Sequence, residues 1–475
     1  MLSHNFWLIF NLLLLLACLR KKYFFLLFTI YICCNGFSFF DRDFFYVEGF
    51  FRFRDIAFLG LMIITIFSLK PEQVKILNSS FIKRSIILIV VFNFILAVYT
   101  YYRWDYTVNE LIAVSREYPL YLIAFSTIIL IKDGKILARI LKISQYFIVT
   151  FAVLFIIQVI IGSRFEIFPF PYRFIEERVL ELYTEKVFRL RAWGKFIPSY
   201  FIPLFFSLYV YTKEKKHLIF LGLCFIATVL TFDRTIVFAS VVALPLSVYI
   251  VSVTKKRTFA AKMKLRKLAF PILSLCILLF FLNMFSETLA NNVFTRYGSI
   301  TSEIIDRAGT YGDRIDKLEF ALNDILPNNL FLGVGLYHIN HYSDFLRENV
   351  YPDGHIGIFY ILITTGLIFW IIYFSFIFYV VFRYIKHFAT VQNPLYKSIL
   401  FMTFTSTLTK LVAWHYMEFN DPIGITVFAF MIGLSELAIF YDKNSNEDKN
   451  ENESNSYSLP RHSWRWRTRC LQPGT

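Results

Sequence analysis

Residues 356–382 read IGIFYILITTGLIFWIIYFSFIFYVVF, and this stretch decides the fold class of the chain. It contains no Asp, Glu, Lys or Arg, and it exceeds the roughly 20 apolar residues that a helix needs to cross the hydrocarbon core of a bilayer. A helix on the surface of a soluble protein carries a polar face, because one side of it meets water. The stretch therefore predicts a transmembrane helix.

The rest of the chain has the same character. Of its 475 residues, 57% are hydrophobic and 17% are charged. Soluble domains carry about 25% charged residues. The 57 phenylalanines and 29 tyrosines add more apolar surface than a soluble fold of this length can bury. The composition therefore excludes the soluble globular classes and favours a protein whose solvent is lipid.

Apolar runs recur along the chain and predict an all-α polytopic membrane protein with about 12–13 transmembrane helices. The lower number applies if the first run is not a span. The bundle occupies residues 1–441, and the polar residues 442–475 are predicted to be a disordered cytoplasmic tail. The predicted spans are 5–19, 23–40, 56–69, 85–101, 119–131, 143–162, 196–212, 218–231, 235–253, 268–286, 356–382, 396–413 and 423–441.

Basic residues in alternate connections predict the orientation of the spans, because Lys and Arg in short loops stay on the cytoplasmic side. These connections hold, among others, Lys21 and Lys22, Lys70 and Lys75, Lys132 and Lys135, Lys215 and Lys216, and Arg383 and Lys386. The net charge of +15 is then largely a matter of topology. No nucleic-acid motif accompanies it, so we expect no nucleic-acid partner.

Two connections on the predicted exterior are too long to be turns, at about residues 163–195 and 287–355. The first breaks the orientation rule, since its basic residues outnumber its glutamates. Two interpretations stay open for it. One is a salt-bridged surface helix, because Glu185 and Arg189 are spaced as helical neighbours. The other is an anion site at the membrane surface.

Two ionisable residues stand at predicted span boundaries. Arg234 lies between two apolar runs with almost no loop, where a charge is costly and usually faces a cavity or a partner. It either pairs with Asp233 or serves a functional site. His355 begins the span at 356–382, and its titration range suits proton transfer. The alternative for His355 is an interfacial hydrogen-bonding role.

Three groups of motifs follow one another across about residues 190–370. They are Phe232-Asp233-Arg234-Thr235 between two spans, Gly312-Asp313-Arg314 followed by Gly333-Val334-Gly335-Leu336, and Gly354-His355 followed by Thr365-Gly366-Leu367-Ile368. In the order of these motifs, the chain resembles the O-antigen polymerase and O-antigen ligase superfamily of bacterial envelope enzymes. The family pattern often has Asn after the His, where this chain has Ile356.

The resemblance implies a GT-C-like helical glycosyltransferase in the bacterial cytoplasmic membrane, with its active site on the outer face and without a metal or another cofactor. The donor would be a glycan on undecaprenyl pyrophosphate. The acceptor would be a second lipid-linked unit for a polymerase, or lipid A core for a ligase. Further partners would be membrane lipids, a flippase and a chain-length regulator. The implied site residues are Arg189, Arg191, Arg234 and Arg314 as a pyrophosphate clamp, and His355 as the group that activates or orients the acceptor hydroxyl.

Two rival classes remain. A flippase or transporter of lipid-linked glycans predicts internal repeats and broken spans with charges near the midplane, and no clear repeat relates the two halves of this chain. A different GT-C enzyme is suggested by Asp41-Arg42-Asp43, because an acidic pair in the first exterior loop resembles a metal-assisted catalytic loop. The bland interpretation of that pair is a set of solvated loop acids.

Overall fold

The computed structural model describes residues 21–34, 53–78, 81–161, 172–178, 186–192, 195–231, 233–254, 319–336, 357–412 and 422–457. The helices are α1 Lys22–Cys33, α2 Phe53–Ile66, α3 Pro71–Asn78, α4 Phe81–Trp104, α5 Val108–Ser115, α6 Ile123–Leu130, α7 Gly134–Ile161, α8 Ile197–Thr212, α9 Lys215–Val229, α10 Arg234–Thr254, α11 Gly357–Thr390, α12 Pro394–Val412 and α13 Pro422–Tyr457. Short 3₁₀ turns cover Tyr118–Leu122 and Leu326–Asn328, a π turn covers Ala321–Ile325, and two strands are β1 Tyr172–Arg178 and β2 Lys186–Ala192.

The prediction of long apolar helices is confirmed. Within the described ranges, four helices are long and apolar enough to cross a membrane, namely α4, α7, α11 and α13. A fifth candidate is the pair formed by α5 and Tyr118–Leu130, which is bent by 42°. Helices α1 and α8 and the segment Ile236–Val251 are apolar but shorter. Every predicted run overlaps a helix except 5–19 and 268–286, which lie outside the described residues.

The first long connection contains a β-hairpin, so the surface helix considered for residues 163–195 is wrong. The bundle is helical as predicted, and strands β1 and β2 pair in antiparallel fashion within the long connection. Their sequences, YRFIEER and KVFRLRA, place aromatic and β-branched residues among charged ones in near alternation. Such a pattern fits a strand with two unlike faces better than it fits a helix.

Helix α12 is antiparallel to both α8 and α13. The Ser207 and Ser398 hydroxyls lie 3.1 Å apart, and at the other end of the pair the Ser406 hydroxyl donates to the Tyr200 carbonyl at 2.8 Å. Helix α13 is the most enclosed of the long helices, with 89% of its apolar window buried, whereas the figure for α4 is 39%. The core therefore lies around α13, and α4 leaves much of its apolar surface for lipid.

Helix α11 connects the two sides of this core. It is antiparallel to α4, since the Phe92 ring packs on Phe369 and the Phe81 ring packs on Tyr379. We call the end of the bundle with Trp104, Lys195 and Lys410 the upper end, and we call the opposite end, with Phe81 and Pro394, the lower end. The upper end is the predicted exterior.

The connections that hold the predicted cytoplasmic basic residues meet at the lower end. The Gln73 side-chain amide donates to the Ile129 carbonyl at 2.8 Å, and the Tyr441 hydroxyl donates to the Ile131 carbonyl at 2.9 Å. Lys397 lies over the Tyr211 ring, 5.8 Å from its centroid. The alternation of charge along the sequence therefore corresponds to two distinct ends of the folded bundle.

Helix α13 continues to Tyr457, well beyond the end of its predicted span at residue 441. The structure describes residues 442–457 as a continuation of this helix, and the rest of the predicted disordered tail, 458–475, lies outside the described residues. A helix that already exists is extended cheaply, because each added residue gains a hydrogen bond without a new nucleation step. The Asp442 carboxylate also accepts hydrogen bonds from the backbone N–H groups of Gln392 and Asn393, which ties this region to the bundle.

Candidate functional site at the upper end of the bundle

A break in α11 forms one side of the upper end. Gly366 has φ 75° and ψ 175°, which is not helical, although the helix runs on either side of it. A residue with a side chain rarely adopts such a positive φ, so glycine is needed here. Breaking a helix leaves carbonyl and N–H groups without their usual partners, and inside a bilayer such groups are costly.

The segment Leu330–Gly335 supplies the missing partners. The N–H groups of Val334 and Gly335 donate to the Ile363 and Thr364 carbonyls, both at 2.9 Å. In return, the Leu367 N–H donates to the Leu330 carbonyl at 2.7 Å. The two glycine motifs of the sequence, at 333–336 and 365–368, are therefore one unit in which the backbone of the first fills the break at the second.

The upper end of α4 holds this unit in place. One Arg103 Nη donates to the Asn329 side-chain oxygen at 2.7 Å and to the Tyr99 hydroxyl at 2.6 Å. The Trp104 indole N–H donates to the Val334 carbonyl at 2.7 Å. Just beyond α4, the Tyr106 hydroxyl donates to the Leu336 carbonyl at 2.9 Å. The contacts that fill and hold the break in α11 thus come from three separate parts of the chain, namely the end of α4, residues 329–336 and α11 itself.

A buried ion pair stands beside the predicted Arg234 site. The Lys195 Nζ lies 3.5 Å from an Asp233 carboxylate oxygen, and both side chains are more than nine-tenths buried. The same ammonium lies over the Phe196 ring, 4.4 Å from its centroid. Lys195 is thus a partner of Asp233, a pairing that the sequence does not indicate. The pair joins the segment after β2 to the start of α10.

The hairpin places the arginines of the first loop in a defined register. Arg191 on β2 lies opposite Arg173 on β1, and Arg189 lies opposite Ile175. Positions two apart on a strand share a face, and so do positions directly opposite each other on paired strands. Positions 173, 189 and 191 therefore share one face of the hairpin.

Two further charged groups at this end were not singled out from the sequence. Lys410 is buried, donates to the Gly424 carbonyl at 3.2 Å, and lies 5.0 Å and 5.2 Å from the ring centroids of Tyr200 and Phe428. Its position inside the apolar run 396–413 was the available signal, because an ionisable residue within a span is rare. Asp55 forms ion pairs with Arg116 at 3.3 Å and with Arg54 at 3.6 Å.

Some of the predicted site residues belong to the described part of the structure, and others do not. Arg234 is the first residue of α10, directly after the paired Asp233. Arg189 and Arg191 lie on β2, six and four residues before Lys195. Other predicted residues lie outside the described residues, namely Arg314 and His355, together with Asp41 and Asp43 of the alternative acidic pair.

Among the described residues, the side chains of Arg103, Lys195 and Lys410 place cationic groups at one boundary of an apolar bundle. Such a boundary suits a ligand with an anionic head and an apolar tail, because the tail can enter the bilayer while arginine and lysine hold the head. No known protein-family model matches the chain, and no curated protein matches it either.

Proposed function

We propose that the chain is a membrane glycosyltransferase that joins undecaprenyl-pyrophosphate-linked oligosaccharide units into O-antigen, capsule or exopolysaccharide. In this proposal it crosses the bacterial cytoplasmic membrane about 12–13 times as a GT-C-like bundle. The upper end faces the exterior, and the reaction needs no metal. The structural finding that supports this topology is a bundle that contains long apolar helices.

The observation that carries the proposal is the buried Lys195–Asp233 pair. It joins the segment that follows the strand bearing Arg189 and Arg191 to the residue that precedes the helix beginning with Arg234, so two segments far apart in the sequence are held together. A buried ion pair of this kind is seldom a gain in stability over apolar side chains. Its presence here supports a role in holding the cationic segments around a phosphate group.

The chemistry follows from the substrate. When the glycosyl–pyrophosphate bond breaks, negative charge develops on the pyrophosphate leaving group. Fixed cations already in place stabilise that charge without reorganising, and arginine forks bind two phosphate oxygens at once. We assign this role to Arg189, Arg191, Arg234 and Arg314. His355 takes the proton of the acceptor hydroxyl as it attacks the sugar carbon.

A transporter of lipid-linked glycans is the second candidate, and the break at Gly366 favours it, because transporters often use broken helices. In those sites the exposed ends of the half-helices face the substrate or ion. Here the carbonyls of Ile363 and Thr364 accept hydrogen bonds from the chain's own Val334 and Gly335. These polar groups are already satisfied, so the break supports a scaffold better than it supports an ion site.

The test is a reaction with the purified full-length chain and a lipid-linked oligosaccharide in detergent or in nanodiscs. A polymerase produces a ladder of longer lipid-linked glycans, whereas a transporter leaves their length unchanged. Gene deletion separates polymerase from ligase. Loss of a polymerase leaves single repeat units attached to the acceptor, and loss of a ligase leaves none. A purified chain that binds the substrate but never lengthens it contradicts the proposal.

A further inference from the structure

The hairpin pairs two arginines that are far apart in the sequence. Arg173 and Arg191 stand directly opposite each other in the antiparallel register, although 18 positions separate them along the chain. Residues opposite each other on such strands have Cβ atoms about 5 Å apart. Arg189 occupies the neighbouring diagonal position on the same face. Three arginine positions therefore lie within one small area of the hairpin.

The two faces of the hairpin differ in character at the end nearest Lys195. One face carries positions Arg173, Arg189 and Arg191, and its one acid among the paired positions, Glu177, lies farther along toward the connecting turn. The opposite face at the same end carries Phe174 and Leu190 as a cross-strand pair, followed by Phe188. At this end of the hairpin the basic positions are therefore collected on one face, whereas Arg178 and Lys186 lie on the other face at the turn end.

This arrangement is unfavourable for the hairpin by itself. Like charges directly opposite each other destabilise a strand pair, and a lone two-stranded hairpin is marginally stable in water. A bound anion removes both problems, since it replaces the repulsion between the arginines with two attractions. The other opposed basic pair, Arg178 and Lys186, has position Glu176 beside it on its own face, whereas the Arg173–Arg191 pair has Arg189 beside it, so the register favours an anion at the face with three arginines.

The location of the hairpin indicates which kind of anion would bind at the arginine face. Strand β2 ends at Ala192, and Lys195, buried beside Asp233, follows three residues later at the start of the apolar helix α8. Three residues of chain span at most about 10 Å. The arginine face therefore lies close to the upper boundary of the bundle. A phosphate group attached to a lipid tail resides at that depth.

We propose that Arg173 completes a three-arginine phosphate site with Arg189 and Arg191, and that this site takes the pyrophosphate of the lipid-linked glycan. The inference rests on the proposed function and adds to it a binding residue that no sequence motif indicates. Arg178 is the natural comparison, because it lies on the same strand but on the other face, opposite Lys186. Its removal changes the net charge by the same amount.

The experiment measures binding rather than turnover. The full-length chain is placed in nanodiscs of zwitterionic lipid, and inorganic pyrophosphate is titrated by calorimetry at low salt. Arg173→Ala is expected to weaken the apparent affinity about tenfold or more, the usual cost of losing a hydrogen bond to a charged group. Arg178→Ala is expected to stay within about twofold, since it removes only a distant, screened charge. Equal losses in the two variants overturn the proposal, and so does the absence of any loss.

Two further arms keep the result interpretable. Arg173→Lys retains the charge without the fork, so it is expected to bind with intermediate affinity, and it replaces Arg173→Ala if that variant fails to fold. Undecaprenyl pyrophosphate incorporated in the nanodisc is expected to compete with the titrated pyrophosphate, whereas phosphatidylglycerol at equal charge is not. Equal competition by phosphatidylglycerol overturns the specific site in favour of general attraction to anionic lipid.

The polymerisation assay on the same preparation separates this inference from the proposed function. If glycans do not lengthen but pyrophosphate still binds in an Arg173-dependent manner, the proposed function fails and the phosphate site stands. If glycans lengthen and Arg173→Ala binds pyrophosphate as the unaltered chain does, the polymerase stands and the three-arginine site fails.

Discussion

Gly333 and Gly366 approach so closely that a Cβ added to Gly366 would lie 2.5 Å from the Gly333 backbone nitrogen, and one added to Gly333 would lie 2.6 Å from the Gly366 nitrogen. Both have positive φ, at 68° and 75°. The contact joins two segments of backbone inside an apolar bundle, and the hydrogen bonds around it satisfy the groups that the helix break exposes. Its consequences are therefore testable by single substitutions.

Gly366→Ala is expected to destabilise the folded chain by more than about 2 kcal/mol, because a side chain is both strained at this φ and obstructed by backbone. The measurement is the thermal unfolding midpoint in detergent. Gly222→Ala is the control. Gly222 lies in α9 with nothing within 4 Å of an added Cβ, and alanine there is expected to be neutral or stabilising. Similar midpoints for the two variants would contradict the close approach of residues 333 and 366.

Arg103→Ala is expected to lower stability by about 1.5–3 kcal/mol, because it leaves Asn329 and Tyr99 without their charged donor. Arg103→Lys is expected to recover part of the loss, since one ammonium cannot reproduce the geometry of a guanidinium. Arg84→Ala removes an exposed arginine from the same helix and serves as the control in the same unfolding measurement. A loss at Arg84 as large as that at Arg103 would rule out the clamp.

Breaking the buried pair by Lys195→Met or Asp233→Asn is expected to cost about 3–5 kcal/mol, because each change leaves one partner of the pair without the other in a dry environment. Replacing both, as Lys195→Met with Asp233→Leu, is expected to cost less than the sum of the single changes. The readout is a double-mutant cycle of unfolding free energies.

The exposed pair between Glu214 and Lys216 provides the control for that cycle, and Glu214→Gln is expected to leave the unfolding midpoint unchanged. Strict additivity of the Lys195 and Asp233 changes would show that the two groups do not interact.

Arg234→Ala is expected to abolish glycan lengthening while the chain still inserts and folds, because a cation of the pyrophosphate clamp is lost. Polymer length on a gel measures the effect, with a size-exclusion profile as the check on folding. Lys216→Ala removes an exposed positive charge at the lower end and is expected to retain full activity. Normal polymer from the Arg234 variant would remove it from the clamp.

His355→Ala is expected to reduce the rate of lengthening at least about a hundredfold, the usual range for loss of a general base. Donor binding is expected to remain, since the histidine acts on the acceptor hydroxyl. His387→Ala, in the last turn of α11 at the lower end, is the comparison and is expected to be active. Full activity without His355 would assign the proton transfer to another group.

Much of the architecture could be predicted because it depends on local composition. The runs 85–101 and 143–162 need no knowledge of other segments, since an uninterrupted apolar stretch forms a helix in lipid wherever it lies, and both are helices in the structure. The hairpin could not be predicted in this way. The helical spacing of Glu185 and Arg189 competed with a strand pattern of only seven residues on each side.

The candidate site was only partly accessible to sequence reasoning. The position of Arg234 followed from the cost of a charge between apolar runs, and it begins a helix in the structure. The Lys195–Asp233 pair could not be predicted from the sequence, because 38 positions separate the two residues along the chain. Lys410 lies inside the apolar run 396–413, and it was not predicted from the sequence as a site residue.

The sequence by itself determined that long apolar helices form and that basic connections alternate along the chain, because hydropathy and charge are properties of each segment alone. Only the tertiary structure decided that Gly333 fills the break at Gly366, that Lys195 pairs with Asp233, and that Arg173 stands opposite Arg191. Hydrogen bonds, ion pairs and strand register act over a few ångströms and between particular atoms. They therefore depend on how distant segments approach each other in space, which no single segment specifies.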